Sequence, residues 1–120
     1  MSFTVCASCM EWTERGPVRA TLKMERKVSR SVICQKIHFY AACPRIEFET
    51  TVDWKEHQHL LKVHFPMDVH TDEATFEIQF GNVTRKTHQN TSWDQARFES
   101  CGQKWIDVSE GHYGISLLND

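Results

Sequence analysis

The sequence predicts an all-β fold, an antiparallel β-sandwich. Of its 120 residues, 25 are the β-branched types Val, Ile and Thr, whereas Leu and Ala together number 11. This balance favours strands over helices. About seven segments alternate apolar and polar residues with a period of two, which is typical of half-buried strands, and no segment has a convincing helical period. Many short strands without helices indicate a sandwich.

The first half of the chain contains the clearest strands. Residues 17–28 alternate, and a short polar connection at 29–31 leads to a second alternating run at 33–39, which predicts a hairpin. Pro44 closes this run, and residues 46–54 then alternate without interruption. The first dozen residues have no clear period and predict no element.

The second half predicts four further strands around a long loop. Residues 61–65 alternate and end at Pro66, and residues 76–80 alternate up to a turn at Gly81-Asn82. The period fades over residues 83–98, which we interpret as an irregular loop. Strands are expected again at 104–108 and, after a turn at Glu110-Gly111, at 113–117.

Length and charge restrict the class of protein. We expect a poorly defined N-terminal segment at 1–15 and one domain at 16–120. With 14 basic and 16 acidic residues the net charge is −2, which argues against a nucleic-acid binder. No apolar stretch reaches the ~20 residues of a membrane span, so we expect neither a span nor a secretion signal. The chain stops directly on a strand, as an excised piece of a longer protein would.

The cysteines favour a cytoplasmic protein. There are five, an odd number, so they cannot all pair within the chain. Without a leader, a reducing cytoplasm is the expected location. Cys6 and Cys9 have the spacing of half a metal or redox site, but no second pair follows, and ordinary thiols are the favoured interpretation.

Other residues with metal-binding or catalytic chemistry form no specific motif. His57 and His59 could share an ion if their segment is extended, with His64 and His70 nearby, but a zinc site needs three or four convergent ligands. The carboxylates of Asp68, Asp72 and Glu73 are close in sequence, as in any acidic turn. No nucleophile elbow, phosphate loop or dinucleotide motif occurs. We therefore predict no metal ligand and no catalytic residue.

The loop at 85–98 is the most informative segment, because it combines hydrogen-bonding groups with an aromatic platform. Such a mixture suits a sugar, whose hydroxyls bind polar side chains and whose C–H face stacks on indole. The residues concerned are Arg85, His88, Asn90, Trp93, Asp94 and Arg97. In the structural alternative Trp93 plugs the end of the sandwich and Asp94 caps a turn.

Three long strings resemble a known family. They are RIEFETTVDWKEHQHLLKVHFPMDV, ATFEIQFGNVTRKTHQNTSWDQARFE and KWIDVSEGHYGISLLND. In order and spacing they are similar to the class II α-mannosidases of the cytosolic and bacterial type, glycoside hydrolase family 38. The resemblance extends from about residue 16 to residue 120.

The resemblance implies a part of a longer enzyme. Members hydrolyse terminal α-linked mannose with retention. Their zinc ion and aspartate nucleophile lie in an amino-terminal α/β domain that a helical bundle follows. This chain would be a fragment of the later β region, part of a galactose-mutarotase-like super-sandwich, and inactive alone. No zinc ligand is expected in it, and its partners would be the remaining domains and a mannoside, with no nucleic acid and no membrane.

The resemblance also implies a set of substrate-proximal residues. In the family, loops of the β region close over the sugar pocket, and the corresponding stretches here are THQNTSWD and SLLND. The residues are His88, Asn90, Trp93, Asp94, Asn119 and Asp120. Two alternatives remain open, a free-standing carbohydrate-binding module and a purely structural scaffold that self-associates through an exposed apolar face.

Overall fold

The structure is a computed structural model that describes residues 7–119. The chain divides into two compact units, Met1–Lys62 and Val63–Asp120. The described part of each unit contains one four-stranded antiparallel sheet. The all-β prediction is therefore confirmed, and two antiparallel sheets are the components that a β-sandwich requires. Among residues 7–119, no helix has the length and apolar character needed to cross a membrane.

The sheet of the first unit is a meander in the order β1-β2-β3-β4. Its strands are β1 (Ala7–Arg15), β2 (Arg19–Val28), β3 (Ser31–Tyr40) and β4 (Cys43–Asp53). The predicted hairpin is confirmed as β2 and β3, which pair from Arg19↔Tyr40 to Val28↔Ser31. Its turn places Ser29 in the left-handed region, with φ 51°.

Alternation gives this sheet two chemically different faces. One cross-strand row is apolar and consists of Trp12, Leu22, Ile37 and Phe48. The adjacent row on the other face is charged and consists of Glu11, Lys23, Lys36 and Glu49. Lys36 and Glu49 pair across β3 and β4, with 2.9 Å between Nζ and Oε1. Period-two patterning therefore separates apolar from charged side chains, as the sequence predicts.

The sheet of the second unit has the order β6-β5-β7-β8. Its strands are β5 (Glu73–Ile78), β6 (Gly81–Lys86), β7 (Trp105–Glu110) and β8 (Tyr113–Leu118), and a short helix α1 (Ser92–Ala96) lies between β6 and β7. β7 pairs with β5 at Thr75↔Asp107 and Phe76↔Ile106. The chain thus leaves the sheet after β6, forms α1 and returns on the other side of β5.

Five sequence predictions differ from the structure. β1 occupies a segment without a clear apolar period, because its pairing with β2 contains two register shifts that interrupt the alternation. Pro44 lies inside β4, an edge strand, where a missing amide is tolerated.

The strand expected at 61–65 is absent. Residues 54–72 contain no strand, and the alternating side chains there are exposed, from 44% for Leu61 to 76% for Val63.

The fourth and fifth differences concern the segment after β5. The predicted turn at Gly81-Asn82 lies two residues earlier, because Ile78 pairs with Gly81 and leaves Gln79 and Phe80 as the loop. The period-two pattern of 83–98 is too weak to reveal β6, and the loop predicted there contains β6 and α1 instead. The hydrogen bonds of β5 stabilise β6 despite its polar sequence.

Candidate functional site

The helix α1 is held at its start by local hydrogen bonds. After β6, the amide of Thr87 donates to the carbonyl of Asp72 over 3.0 Å, and its hydroxyl donates to the carbonyl of Thr71 over 2.7 Å. Thr91 is the N-cap of α1 and adopts an extended conformation. These contacts set where the chain leaves the sheet and where the helix begins.

Thr91 and Asp94 form a reciprocal capping box. The hydroxyl of Thr91 receives a hydrogen bond from the amide of Asp94, and the carboxylate of Asp94 receives one from the amide of Thr91, each over 3.2 Å. The Thr91 hydroxyl also donates to Oδ2 of Asp94 over 2.6 Å. This last bond is the main reason that the pKa of Asp94 lies below its usual value, and the positive charge of Arg97 adds to the effect. Asp94 is therefore an ionised, oriented acceptor.

His88 lies directly beside this carboxylate. Its Nδ1 is 3.6 Å from Oδ2 of Asp94, and the amide of Asn90 approaches the same nitrogen at 3.5 Å. The side chains of His88 and Asp94 are 27% and 16% exposed, so both remain within reach of a ligand. A partly covered imidazole next to a carboxylate supplies a donor and an acceptor at one place.

A cavity of about 490 Å³ opens beside α1. Its lining includes His88 and Asp94 together with the cations Arg85, Lys86 and Arg97. Arg85 is fixed by a hydrogen bond to the carbonyl of Cys101 and by the ring of Phe76, 4.5 Å from its Cζ. Lys86 pairs with Glu73 over 2.6 Å. The cavity thus presents cationic donors beside the carboxylates of Asp94 and Glu99, a combination whose chemistry suits a polyhydroxylated ligand.

The structure brings together only part of the predicted substrate-proximal set. His88 and Asp94 line the cavity, whereas Asn90 does not line it and only its backbone amide approaches His88. Trp93 is 77% exposed on α1 and is not among the residues that line the cavity. Asn119 follows β8, where its amide donates to the carbonyl of Lys104 over 2.7 Å. Asp120 lies outside the described residues.

Sequence reasoning missed Thr91 and Lys86 as members of the site. Thr91 is detectable in principle, because Thr91-x-x-Asp94 is the pattern of a capping box at a helix start. The sequence around Lys86 does not predict that it belongs to the site, because its position at the cavity depends on the pairing of β6 with β5. The structural alternative expects Asp94 to cap a turn, whereas the structure places it at position N3 of α1, within the capping box of Thr91.

The histidine pair considered for a metal ion does not have the required geometry. A bend at Gln58, with φ 57°, interrupts the extended backbone that would aim His57 and His59 the same way. Instead Nδ1 of His59 lies 2.7 Å from the carbonyl oxygen of His57. Within residues 7–119, no three His, Cys, Asp or Glu side chains are grouped as metal ligands.

Comparison with known proteins identifies the family. Residues 3–120 match the model of the glycosyl hydrolases family 38 C-terminal domain. The chain belongs to glycosyl hydrolase family 38. This family 38 domain is 48% identical over 90 residues to human alpha-mannosidase 2C1, which is 75% of this chain and 9% of the human protein.

Two further relatives are also named alpha-mannosidase and are also much longer than this chain. Alpha-mannosidase G of Dictyostelium discoideum is 42% identical over 117 residues, and an alpha-mannosidase of Saccharomyces cerevisiae is 46% identical over 81 residues. The matches cover 89% and 67% of this chain but 10% and 8% of the relatives. The family 38 domain thus spans about a tenth of the length of the relatives that it matches.

Proposed function

We propose that this family 38 domain is a β-sheet portion of a longer α-mannosidase that hydrolyses terminal, non-reducing α-mannose. In this proposal the domain packs on a catalytic domain and residues 87–96 contribute to the mannoside pocket. The observation that carries the proposal is the cavity beside α1, where the capping box orients Asp94 next to His88. Similarity to three proteins named alpha-mannosidase supports the choice of sugar.

The chemistry of the cavity favours binding over bond cleavage. An ionised Asp94 accepts hydrogen bonds from two sugar hydroxyls, and Arg85 and Arg97 donate to others. Retaining hydrolysis needs a pair of carboxyl groups about 5 Å apart. We assign that pair, and the zinc ion that the resemblance implies, to another domain of the parent enzyme. This domain would then act by orienting the mannoside.

The location and partners of the protein follow from the same proposal. The parent enzyme would act in the cytoplasm, where the odd number of cysteines can stay reduced. Its partners would be its own remaining domains and a mannoside, and neither nucleic acid nor membrane. The isolated domain is expected to release no nitrophenol from nitrophenyl α-mannoside above a heat-treated control.

Kinetics of the parent enzyme test the contribution of the cavity. Asp94→Asn removes the charge while keeping the shape, and we expect kcat/KM for an α-mannoside to fall about tenfold or more, since a charged hydrogen bond is lost. Gln95→Ala, on the same helix, is the control. If Asp94→Asn and His88→Ala both leave kcat/KM unchanged while the enzyme stays active, the cavity has no part in mannoside binding.

A second candidate function is a carbohydrate-binding module that binds mannose by itself. The exposed Trp93 favours it, because an accessible indole is the usual platform for a sugar ring. It predicts that millimolar mannose quenches tryptophan fluorescence and that Trp93→Ala abolishes this change. Absence of quenching in the unmodified domain excludes this function.

The third function is a structural scaffold, and exposed apolar residues on β4 support it. Ile46 is 50% exposed and Phe48 is 60% exposed. Such a surface promotes association, so this function predicts dimers or larger species of the isolated domain in light scattering. A monomer at high concentration counts against it.

A further inference from the structure

One face of the second sheet carries a polar row that no part of the proposed function uses. The row crosses all four strands, because Thr84 pairs with Thr75, Thr75 with Asp107, and Asp107 with Ser116. A cavity of about 400 Å³ lies over it, lined by Thr75, Trp105, Asp107, Ser116 and Leu118. We call this surface the Asp107 face.

Two serine hydroxyls orient the carboxylate at the centre of the Asp107 face. Ser116 donates to Oδ1 and Ser109 donates to Oδ2, each over 2.6 Å. These two bonds, that of Ser109 first, lower the pKa of Asp107, so the group is ionised at neutral pH. Each oxygen keeps a further lone pair, and each serine oxygen can accept a bond in turn.

Gly114 makes this arrangement possible. Gly114 is the cross-strand partner of Ser109. A Cβ atom at Gly114 would lie 2.1 Å from Oγ of Ser109, far inside the contact limit. The absence of a side chain at Gly114 therefore lets Ser109 reach Asp107. Gly114 and Ser109 together therefore orient the carboxylate of Asp107.

An aromatic ring accompanies the carboxylate on the same face. Trp105 and Asp107 are two residues apart on β7, so their side chains point to the same side of the sheet. Both line the cavity, and Trp105 is only partly buried. Indole supplies a flat apolar surface for the C–H face of a sugar, and the Asp107 and Thr75 side chains line the same cavity and supply partners for ring hydroxyls.

We propose that the Asp107 face is a second saccharide-binding surface, which takes a short, neutral, α-linked manno-oligosaccharide. The ionised carboxylate disfavours an acidic sugar and accepts bonds from vicinal hydroxyls. The identity of the sugar rests on the proposed function, whereas the binding surface is inferred from the residues of the Asp107 face alone. It shares none of its five lining residues with the cavity beside α1.

Amide chemical shifts of the 120-residue chain, titrated with α-linked mannotriose, test the proposal. We expect saturable changes in β7 (Trp105–Glu110) and β8 (Tyr113–Leu118) at millimolar sugar. Asp107→Asn, which keeps the shape of the side chain, should weaken binding about tenfold or more, and Trp105→Ala should abolish it. The matched control is Asp68→Asn, at a carboxylate that is 98% exposed and lines neither cavity, and it should leave these changes intact.

The outcomes separate this surface from the one beside α1. Shift changes confined to residues 87–96 overturn the Asp107 face and leave the proposed function standing. No shift change at any residue of the folded chain also overturns it, while kinetics of Asp94→Asn in the parent enzyme still decide the proposed function. Equal binding by Asp107→Asn and the unmodified chain would contradict the role of the carboxylate.

Discussion

The hydroxyl of Thr91 lies 2.6 Å from Oδ2 of Asp94 and donates a hydrogen bond to it. The amide of Asp94 in turn donates to that hydroxyl over 3.2 Å. One threonine therefore both starts α1 and orients the carboxylate of the cavity. Helix capping and carboxylate orientation are coupled at this residue, so a change at position 91 has consequences for both.

The first prediction concerns this coupling. Thr91→Ala removes the N-cap hydroxyl and should destabilise α1 by about 1 kcal/mol. It should also raise the pKa of Asp94 toward its ordinary value, because the largest cause of its lowering is lost. Carboxyl chemical shifts measured across pH check the second effect. Thr91→Ser keeps the hydroxyl and should behave like the unmodified domain, and an unchanged Asp94 pKa in Thr91→Ala would contradict the prediction.

The second prediction concerns Ser31, which is fully buried at the start of β3. Its hydroxyl donates to Oε1 of Glu56 over 2.8 Å and accepts from the amide of Lys55 over 2.9 Å. Ser31→Ala leaves both partners without this hydroxyl and should lower the free energy of unfolding by about 1–3 kcal/mol. Denaturant unfolding measures this change in free energy, and Ser100→Ala, at an exposed serine, is the control. Equal losses in the two variants would show that the buried hydroxyl adds nothing.

The third prediction concerns pH and Glu56. The hydroxyl of Ser31 and then the amide of Arg30 lower the pKa of Glu56. A carboxyl whose pKa is lower in the folded state stabilises the fold above its unfolded pKa, about 4.3, and loses this effect as the pH falls through the folded value. Glu56→Gln should therefore be less stable than the unmodified domain at pH 7, and the difference should shrink in acid. Glu25→Gln is the control, and a difference that is constant with pH would refute the linkage.

The fourth prediction compares two glycines on either side of Tyr113. Gly114→Ala should lower the free energy of unfolding by about 1–3 kcal/mol and displace Ser109 from Asp107, since the added methyl overlaps Ser109. A Cβ at Gly111 meets no atom within 4 Å, so Gly111→Ala should have little effect. Thermal unfolding of the two variants compares their stabilities. If Gly114→Ala is as stable as Gly111→Ala, the Ser109–Asp107 contact does not depend on the glycine.

The fifth prediction concerns Phe80, which is fully exposed in the β5–β6 turn with φ 62°. A left-handed backbone is unfavourable for Phe and acceptable for Asn. Phe80→Asn should therefore raise the free energy of unfolding by about 1 kcal/mol. Phe80→Ala removes the ring without relieving the backbone and should show no such gain. A gain of the same size in both variants would assign the effect to the exposed ring instead.

The candidate site could be predicted only in part. His88 and Asp94 were predicted from their residue types and from the family resemblance, and they lie side by side. Asn119 lies at the end of β8 and is not among the residues that line the cavity. Arg85 and Lys86 reach the cavity because β6 pairs with β5, and that pairing has no signature in the polar sequence of β6. The Asp107 face depends likewise on a register between strands that α1 separates along the chain.

The sequence alone determined the all-β class, the β2–β3 hairpin and the family, because period-two alternation and long strings that resemble the family are local properties of the chain. Only the tertiary structure decided that residues 61–65 form no strand, that β1 and β6 do, and which polar residues meet across the second sheet. Strand existence depends on a hydrogen-bonding partner distant in the sequence, and side-chain alignment across strands depends on register. Neither quantity is encoded in one segment by itself.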